Sequence, residues 1–401
     1  MNKESNQLWT EESINALGLY KIITKIICSW PLEPRNIYWK IRITFLLLFL
    51  IISGFILSEE LVDHCGPAGD IVFIFGLFVT AVSAIFKIIL LNVYHDNMLW
   101  IITNIMTDWQ NAKNSYYQKT IMLKYSSLNR VLLYIVLTPL MFYIVKLSSE
   151  RIPYTTTINN VTVLIRTTPA SSECWSYADT PLIIYIIRFI CRIIEFCIYN
   201  IASGGVDLYF FVIVMHICGQ VEILASNFRE LINEKNNTKL NKKEFIIIIK
   251  RKKYLLNLIN CLQKSFEFSI LVVLLVSTIQ LNVIGNSYTV LFYMKENNVK
   301  AAIELTCGTF FYVFTELYIY CYIGDKLSSH IDNLYLSIYE SCWYNFPLYA
   351  LKDLVFIMMM KNNCEFKLTA GKIYIINLVN FKNIVKTMGS FFSIMRLKVY
   401  Q

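Results

Sequence analysis

The 401-residue sequence is 56% apolar and only 16% charged, with mean hydropathy +0.49, which excludes an ordinary pair of soluble domains. Its Lys and Arg outnumber Asp and Glu by 37 to 28, a net charge of +9. The apolar residues fall in blocks, and about 18 or more in a row can cross the roughly 30 Å hydrocarbon layer as a helix.

The first 40 residues carry Lys, Arg, Glu and Pro without the apolar region of a cleavable leader, so the first span is expected to act as its own insertion signal. Six strong blocks follow at 41–58, 71–91, 131–147, 182–218, 268–288 and 301–323, and a weaker one at 373–397. The 37 residues of the fourth block would measure about 55 Å as a helix. Breaking it at Ser203 to Gly205 would leave a second half too short to cross, so one protruding helix is expected.

Basic residues set the orientation. Segments on the N-terminal side hold Lys21, Lys25, Arg35, Lys40, Lys113, Lys119, Lys124, the run Lys250 to Lys253, and Lys326 to Lys367, whereas the opposite loops hold little beyond Arg151, Arg166 and Lys295. A cytoplasmic N-terminus and, after seven spans, an extracellular C-terminus follow. The net charge is then a topology signal, and the run "KRKK" is read as a cytoplasmic flank rather than a nucleic-acid or nuclear-localisation patch.

Eleven cysteines sit mostly in or near the spans, where they read as small buried hydrophobes. Only Cys65 and Cys174 fall in outer loops, where they either pair or stay free, and Asn160 opens an outer-loop glycosylation sequon. The four histidines are scattered, no Cys-x-x-Cys or Gly-x-Ser-x-Gly occurs, and no cofactor, metal or enzyme reading survives.

Stretches 220–265 and 325–370 repeat apolar residues at helical spacing between charges, which predicts cytoplasmic helices that pack on one another or on neighbouring subunits, with the inner leaflet as the alternative. Within the spans, Lys87, Arg188, Arg192, Glu195, Asp207, Glu304 and Glu316 are costly in lipid and must face protein or water. Arg192 and Glu195 are spaced for a local ion pair.

"KLTAGKIY", 367–374, contains a Gly-Lys pair. A phosphate loop would need Gly where Phe366 stands and Ser or Thr where Ile373 stands, so a helix start with Thr369 as cap is expected instead. In the block that follows, Asn380, Asn383, Thr387, Ser390, Ile394 and Leu397 fall on one helical stripe, polar first and apolar last. Such a stripe either lines a pore with a hydrophobic gate at Ile394 and Leu397, or packs in the bundle with its amides paired. Lys382 and Lys386 are expected off it.

"YIGDKLSSHIDNLYLSIYESCWYNFP" holds Gly324, Asp325, Ser328, Ser337, Tyr339, Trp343, Tyr344 and Pro347. With Thr369, Gly371 and Lys372 of "LTAGK" and the terminal "SFFSIMR", it resembles the C-terminal signature of insect odorant receptors. Ile373 replaces that family's usual aromatic, and the long cytoplasmic insertion typical of its co-receptor is lacking. The gustatory branch, with a different terminal pattern, stays as the alternative, and a transporter or a scaffold is less well served by the sequence.

The resemblance implies an all-α membrane protein of seven transmembrane helices. Spans one to six (1–323) would hold an outer-half pocket, 324–372 would be cytoplasmic anchor helices, and 373–401 the pore-lining span. It further implies an odorant-gated, non-selective cation channel assembled as a heterotetramer with the co-receptor, in the plasma membrane of olfactory sensory neurons. Its partners would be a small volatile organic ligand, membrane lipid and permeating cations, with no nucleic acid. Depth alone nominates Phe75, Tyr143, Tyr185, Phe189, Cys307 and Phe311 as pocket walls, with ordinary bundle packing as the alternative for each.

Overall fold

A computed structural model describes residues 11–62, 68–112, 115–150, 154–158, 161–166, 177–178, 181–233, 242–293, 299–340, 343–345, 347–363 and 367–399. Its helices are α1 (Glu11–Ile26), α2 (Ile37–Val62), α3 (Ala68–Val93), α4 (His95–Ala112), α5 (Tyr116–Glu150), α6 (Leu182–Asn233), α7 (Lys242–Tyr293), α8 (Val299–Glu340), α9 (Leu348–Asn363) and α10 (Leu378–Val399). Between α5 and α6, strands β1 (Tyr154–Ile158), β2 (Val161–Arg166) and β3 (Tyr177–Ala178) form an antiparallel sheet with Tyr154 opposite Ile165 and Ile165 opposite Ala178. A second hairpin, β4 (Thr369–Ala370) with β5 (Tyr374–Ile375), precedes α10.

Six apolar blocks fall in α2, α3, α5, α6, α7 and α8, and the seventh, 373–397, starts in the hairpin and enters α10 at Leu378. Among the described residues, Ile37–Val62, Ile74–Val93 and Lys243–Gly285 are long and apolar enough to cross a membrane on composition alone. α3 carries a single ionisable residue in its block, Lys87, and α5, α6, α8 and α10 carry ionisable residues inside theirs.

α6 is the axis of the bundle. Every residue from 202 to 221 is buried, as expected of a helix that is apolar on all sides. It passes through Ser203–Gly205 without a break, and Ile23 of α1 packs against Gly205. Its main neighbours are α8, α5 and α3, while α7 packs on α3 and α8. Both α6 and α7 have 52 residues, about 78 Å, so each projects well beyond the hydrocarbon layer.

The shorter helices close the end of the bundle that holds the N-terminus. In α4, Met98, Ile101, Ile102, Ile105, Met106 and Trp109 are buried at steps of three and four, which seats one face while the polar face stays out. α1 is fixed by the Tyr20 hydroxyl, which donates to the Asn129 carbonyl at 3.1 Å. At its C-terminus the Lys25 carbonyl accepts from both the Arg42 guanidinium, at 2.8 Å, and the Cys28 amide, at 3.1 Å.

The Gly-Lys stretch departs from expectation. Gly371 and Lys372 have φ of 59° and 60°, and the Ile373 amide donates to the Ala370 carbonyl at 3.1 Å. Two consecutive left-handed residues suit a tight hairpin turn and stop a right-handed helix. Thr369 is therefore a strand residue rather than a cap, and the last helix begins at Leu378.

The hairpin's exit presses on α8. A Cβ placed on Gly324 would lie 2.4 Å from the Ile376 carbonyl oxygen, whereas one on Gly54 would meet nothing within 4 Å. Gly324→Ala is expected to destabilise by about 1–3 kcal/mol and Gly54→Ala by none. Thermal unfolding of the two purified variants checks the contrast; equal melting temperatures would contradict it.

Candidate functional site

The last helix hangs from its neighbours by side chains that the sequence does not advertise. The Gln263 amide of α7 donates to both the carbonyl and the hydroxyl of Thr369, at 2.8 and 2.7 Å, and accepts from the Thr369 amide at 3.4 Å. Gln263 thus satisfies the free edge of β4 in place of another strand. The Gly371 amide donates to the Glu267 carbonyl at 3.2 Å, and Leu271 lies against Gly371. Lys372 is exposed at the turn.

At the start of α10, Asn377 Oδ1 accepts from the Asn380 amide at 2.8 Å, an N-cap. The Asn380 side chain donates to the Ile375 carbonyl at 2.7 Å, and Tyr374 Oη donates to the Asn380 carbonyl at 3.1 Å. Asn380 is therefore committed to the hairpin and does not open the polar stripe.

One face of α10 is clasped by α8. The Phe381 ring sits 5.2 Å from Phe314 and 5.5 Å from Tyr318, both edge-on, arrangements that add to area burial. Met388 is buried on the same side. On the other face Asn383, Thr387 and Ser390 are exposed. The Thr387 and Ser390 hydroxyls donate to the carbonyls four residues back, at 2.9 and 3.1 Å, leaving acceptor lone pairs outward. Lys382 and Lys386 are exposed too, each one position, about 100°, round the helix from a stripe residue. Ile394 and Leu397 belong to α10, but their side chains lie outside the described residues.

The opposite face of α8 holds a buried charge set. Lys87 of α3 donates to Asp207 Oδ2 at 2.7 Å and to Ser203 Oγ at 3.1 Å, both on α6. Its ammonium stands 3.5 Å from Glu316 of α8. Tyr320, one turn on from Glu316, donates to Asp207 Oδ1 at 2.5 Å. Lys87 is 1% exposed, so these bonds replace the whole of its hydration. Nearer the three-stranded sheet, Arg192 bridges Glu195 at 3.1 Å, as the spacing suggested, and also Glu60 of α2 at 2.7 Å. The side chain of Arg188 lies outside the described residues.

The nominated pocket residues stand on α3, α5, α6 and α8, of which α6 and α8 each pack against the other three. Tyr185 and Phe189 pair at 6.0 Å, and with Phe75 and Cys307 they are half-buried. Phe311 is 66% exposed, turned away from any enclosed wall of the single subunit. The Tyr143 side chain lies outside the described residues, as do Cys65, Cys174 and Asn160.

At the N-terminal end, polar clusters tie the helices beyond the apolar blocks. Arg251 of α7 donates to Asp108 of α4 and to Gln220 of α6, each at 2.7 Å, and His216 meets Asp108 at 3.2 Å. Tyr125 of α5 donates to Glu222 of α6 and lies 2.9 Å from His330 Nε2 of α8. Burial holds the His330 imidazole below its usual range. Burial alone would raise the Glu222 carboxyl, but bonds from Tyr125 and Lys124 outweigh it and hold that carboxyl low. Of the signature residues, Ser337 is buried and donates to the Asn333 carbonyl at 2.8 Å. Tyr339 and Tyr344 are 67% and 65% exposed, Trp343 is half-buried, and Pro347 is exposed.

Fold and site define a membrane-embedded helical bundle whose last helix is suspended from a hairpin and presents a polar face. A family model described as "7tm Odorant receptor" matches residues 69–389, and the chain belongs to that seven-transmembrane odorant receptor family. It is 21% identical over 147 residues to an odorant receptor coreceptor of Harpegnathos saltator, covering 37% of this chain and 29% of that protein. It is 25% identical over 146 residues to odorant receptor 47a of Drosophila melanogaster, covering 35% and 36%. The matches thus span only about a third of the length of these relatives, 29% and 36%. The olfactory receptor OR5 of Machilis hrabei shares the fold, with TM-score 0.64 at 10% identity over 94% of this chain and 97% of that one. Its structure in complex with eugenol gives TM-score 0.62 at 11% identity over 97% and 100%.

The charge set yields a direct contrast. Lys87→Met strands buried carboxylates and is expected to cost about 3–5 kcal/mol, whereas Lys124→Ala removes an ion pair whose lysine is 59% exposed and costs about 0–1 kcal/mol. Surface delivery and melting temperature of the two variants measure it. Equal loss, or none in Lys87→Met, would contradict the assignment.

Proposed function

We propose that this chain is the odorant-binding subunit of a ligand-gated, non-selective cation channel, with α10 lining the pore. The observation that carries the reading is the division of α10 into a face clasped by Phe314 and Tyr318 and a face of outward Asn383, Thr387 and Ser390. Exposed polar groups on a helix within a bilayer need water or polar partners. Several such helices around an axis supply both, and Ile394 and Leu397 then form an apolar gate at the far end.

The basic residues place the N-terminus and α9 in the cytoplasm. There the exposed Tyr339, Tyr344, Leu348 and Phe356 form an apolar surface of the kind that assembles subunits. Residues 324–372 serve as the anchor, and a co-receptor is the natural partner, since one relative in the comparison is an odorant receptor coreceptor. A volatile organic ligand would enter between α3, α5, α6 and α8 near Phe75, Tyr185, Phe189 and Cys307, with Tyr143 and Phe311 as further candidate wall residues. Support for a small-molecule pocket comes from the related olfactory receptor described in complex with eugenol. Such a complex would work in the plasma membrane of olfactory sensory neurons.

The reading is tested by co-expressing the chain with a co-receptor and recording currents while screening volatiles. Ligand-evoked cation current is expected, and Ile394→Ser is expected to raise the resting current several-fold. A delivered complex silent to a broad screen, with an unchanged leak in Ile394→Ser, would overturn it.

A further inference from the structure

The outward face of α10 is not the neutral stripe that spacing alone picks out. Laid round the helix at about 100° per residue, the exposed side chains described between Leu378 and Ser393 fill one continuous arc, and the half-buried and buried ones fill the other. Lys386 stands about 20° from the middle of the exposed arc. It lies three residues after Asn383 and four before Ser390, in line with both, and Ser393 extends the row. Phe381, clasped by α8, and the buried Met388 are about 140–160° away. Lys382 sits toward one edge of the exposed arc.

That face is therefore charged, and with one sign. α10 contains Lys382, Lys386, Arg396 and Lys398 and no Asp or Glu. None of the ion pairs among the described residues involves Lys382 or Lys386. The Thr387, Ser390 and Ser393 hydroxyls each donate to the carbonyl four residues back, so they add only the partial charge of their lone pairs. Lys386 lies eight residues beyond the start of α10, about 12 Å along it. At such a depth lipid does not solvate an ammonium, and an outward lysine needs water.

A lysine beside water in an ion path discriminates among the ions that pass. Rings of carboxylates favour cations, whereas Lys and Arg favour anions, and a divalent cation feels twice the repulsion of a monovalent one. We propose that Lys386 is a selectivity residue of the pore: its ammonium, supported by that of Lys382, disfavours divalent against monovalent cations, so each copy of this chain in the assembly lowers calcium permeation. This role rests on the pore-lining reading of α10. For an ion passing at about 6 Å in water, one unit charge changes the divalent-to-monovalent ratio roughly threefold.

The test is the reversal potential of the current evoked by a volatile from the screen above, with the full chain co-expressed with a co-receptor, calcium outside and sodium inside. Per copy in the pore, Lys386→Gln is expected to raise the calcium-to-sodium permeability ratio about threefold and Lys386→Glu about tenfold. Lys386→Arg, which keeps the charge, is expected to leave it unchanged. A second measurement acts on channels already folded: Lys386→Cys is recorded before and after a thiol reagent that attaches a negatively charged group, beside wild type treated alike. A rise confined to the Lys386→Cys channel is expected. Unchanged ratios in the Lys386→Gln, Lys386→Glu and thiol-modified channels would overturn the assignment while leaving the conducting channel in place. A delivered wild-type complex silent to the whole screen would instead remove the pore reading, and this role with it.

Discussion

The bond between Lys87 and Asp207 is the constraint around which the bundle is arranged. Its 2.7 Å contact joins α3 to α6, and both side chains are almost entirely withdrawn from solvent. Withdrawing two such charges costs several kcal/mol each unless geometry and additional hydrogen bonds restore it. Ser203 and Tyr320 supply those bonds and bring α8 into the same knot. The pair fixes which helices meet and in which register, a role in which apolar packing, tolerant of sliding, is weak.

From that knot the architecture of α8 follows. Glu316 and Tyr320 lie one turn apart and face Lys87 and Asp207, while Phe314 and Tyr318, also one turn apart, grip Phe381 of α10. Positions two residues apart on a helix point nearly oppositely, so α8 holds the charge set on one side and the last helix on the other. A displacement of α8 at either side must be felt at the other, because both contacts are packed and specific. The hairpin adds a second tether: Gln263 fixes β4 and Gly324 lets the Ile376 carbonyl approach.

Much of the bundle was legible in the sequence because apolar length is a physical threshold. Six of the seven blocks fall in helices and the seventh enters α10 from the hairpin, and α6 runs unbroken through Ser203–Gly205, since a half-length segment could not have crossed. The Arg192–Glu195 pair was legible from local spacing. Its further bond to Glu60 was not, because the two residues are 132 positions apart. For the same reason Lys87, Asp207 and Glu316 could be flagged as costly one by one but not joined. Their depth in separate blocks was the only hint. The turn at Gly371 and Lys372 was misread because Thr before an apolar run looks like a cap; the left-handed pair that prevents it shows only in the backbone. Asn380 was misassigned because helical phase says nothing about the β5 carbonyl its side chain reaches.

The central claim is that α8 couples the charge-fixed bundle to the last helix through the aromatic clasp. A double-mutant cycle on odorant-evoked current tests it most directly, using Tyr318→Ala, Phe381→Ala and the double variant expressed with a co-receptor. Coupled residues should show a non-additive effect on half-maximal odorant concentration, about 0.5–2 kcal/mol or roughly two- to thirty-fold. Strict additivity, with both single variants shifting the response independently, would contradict the account.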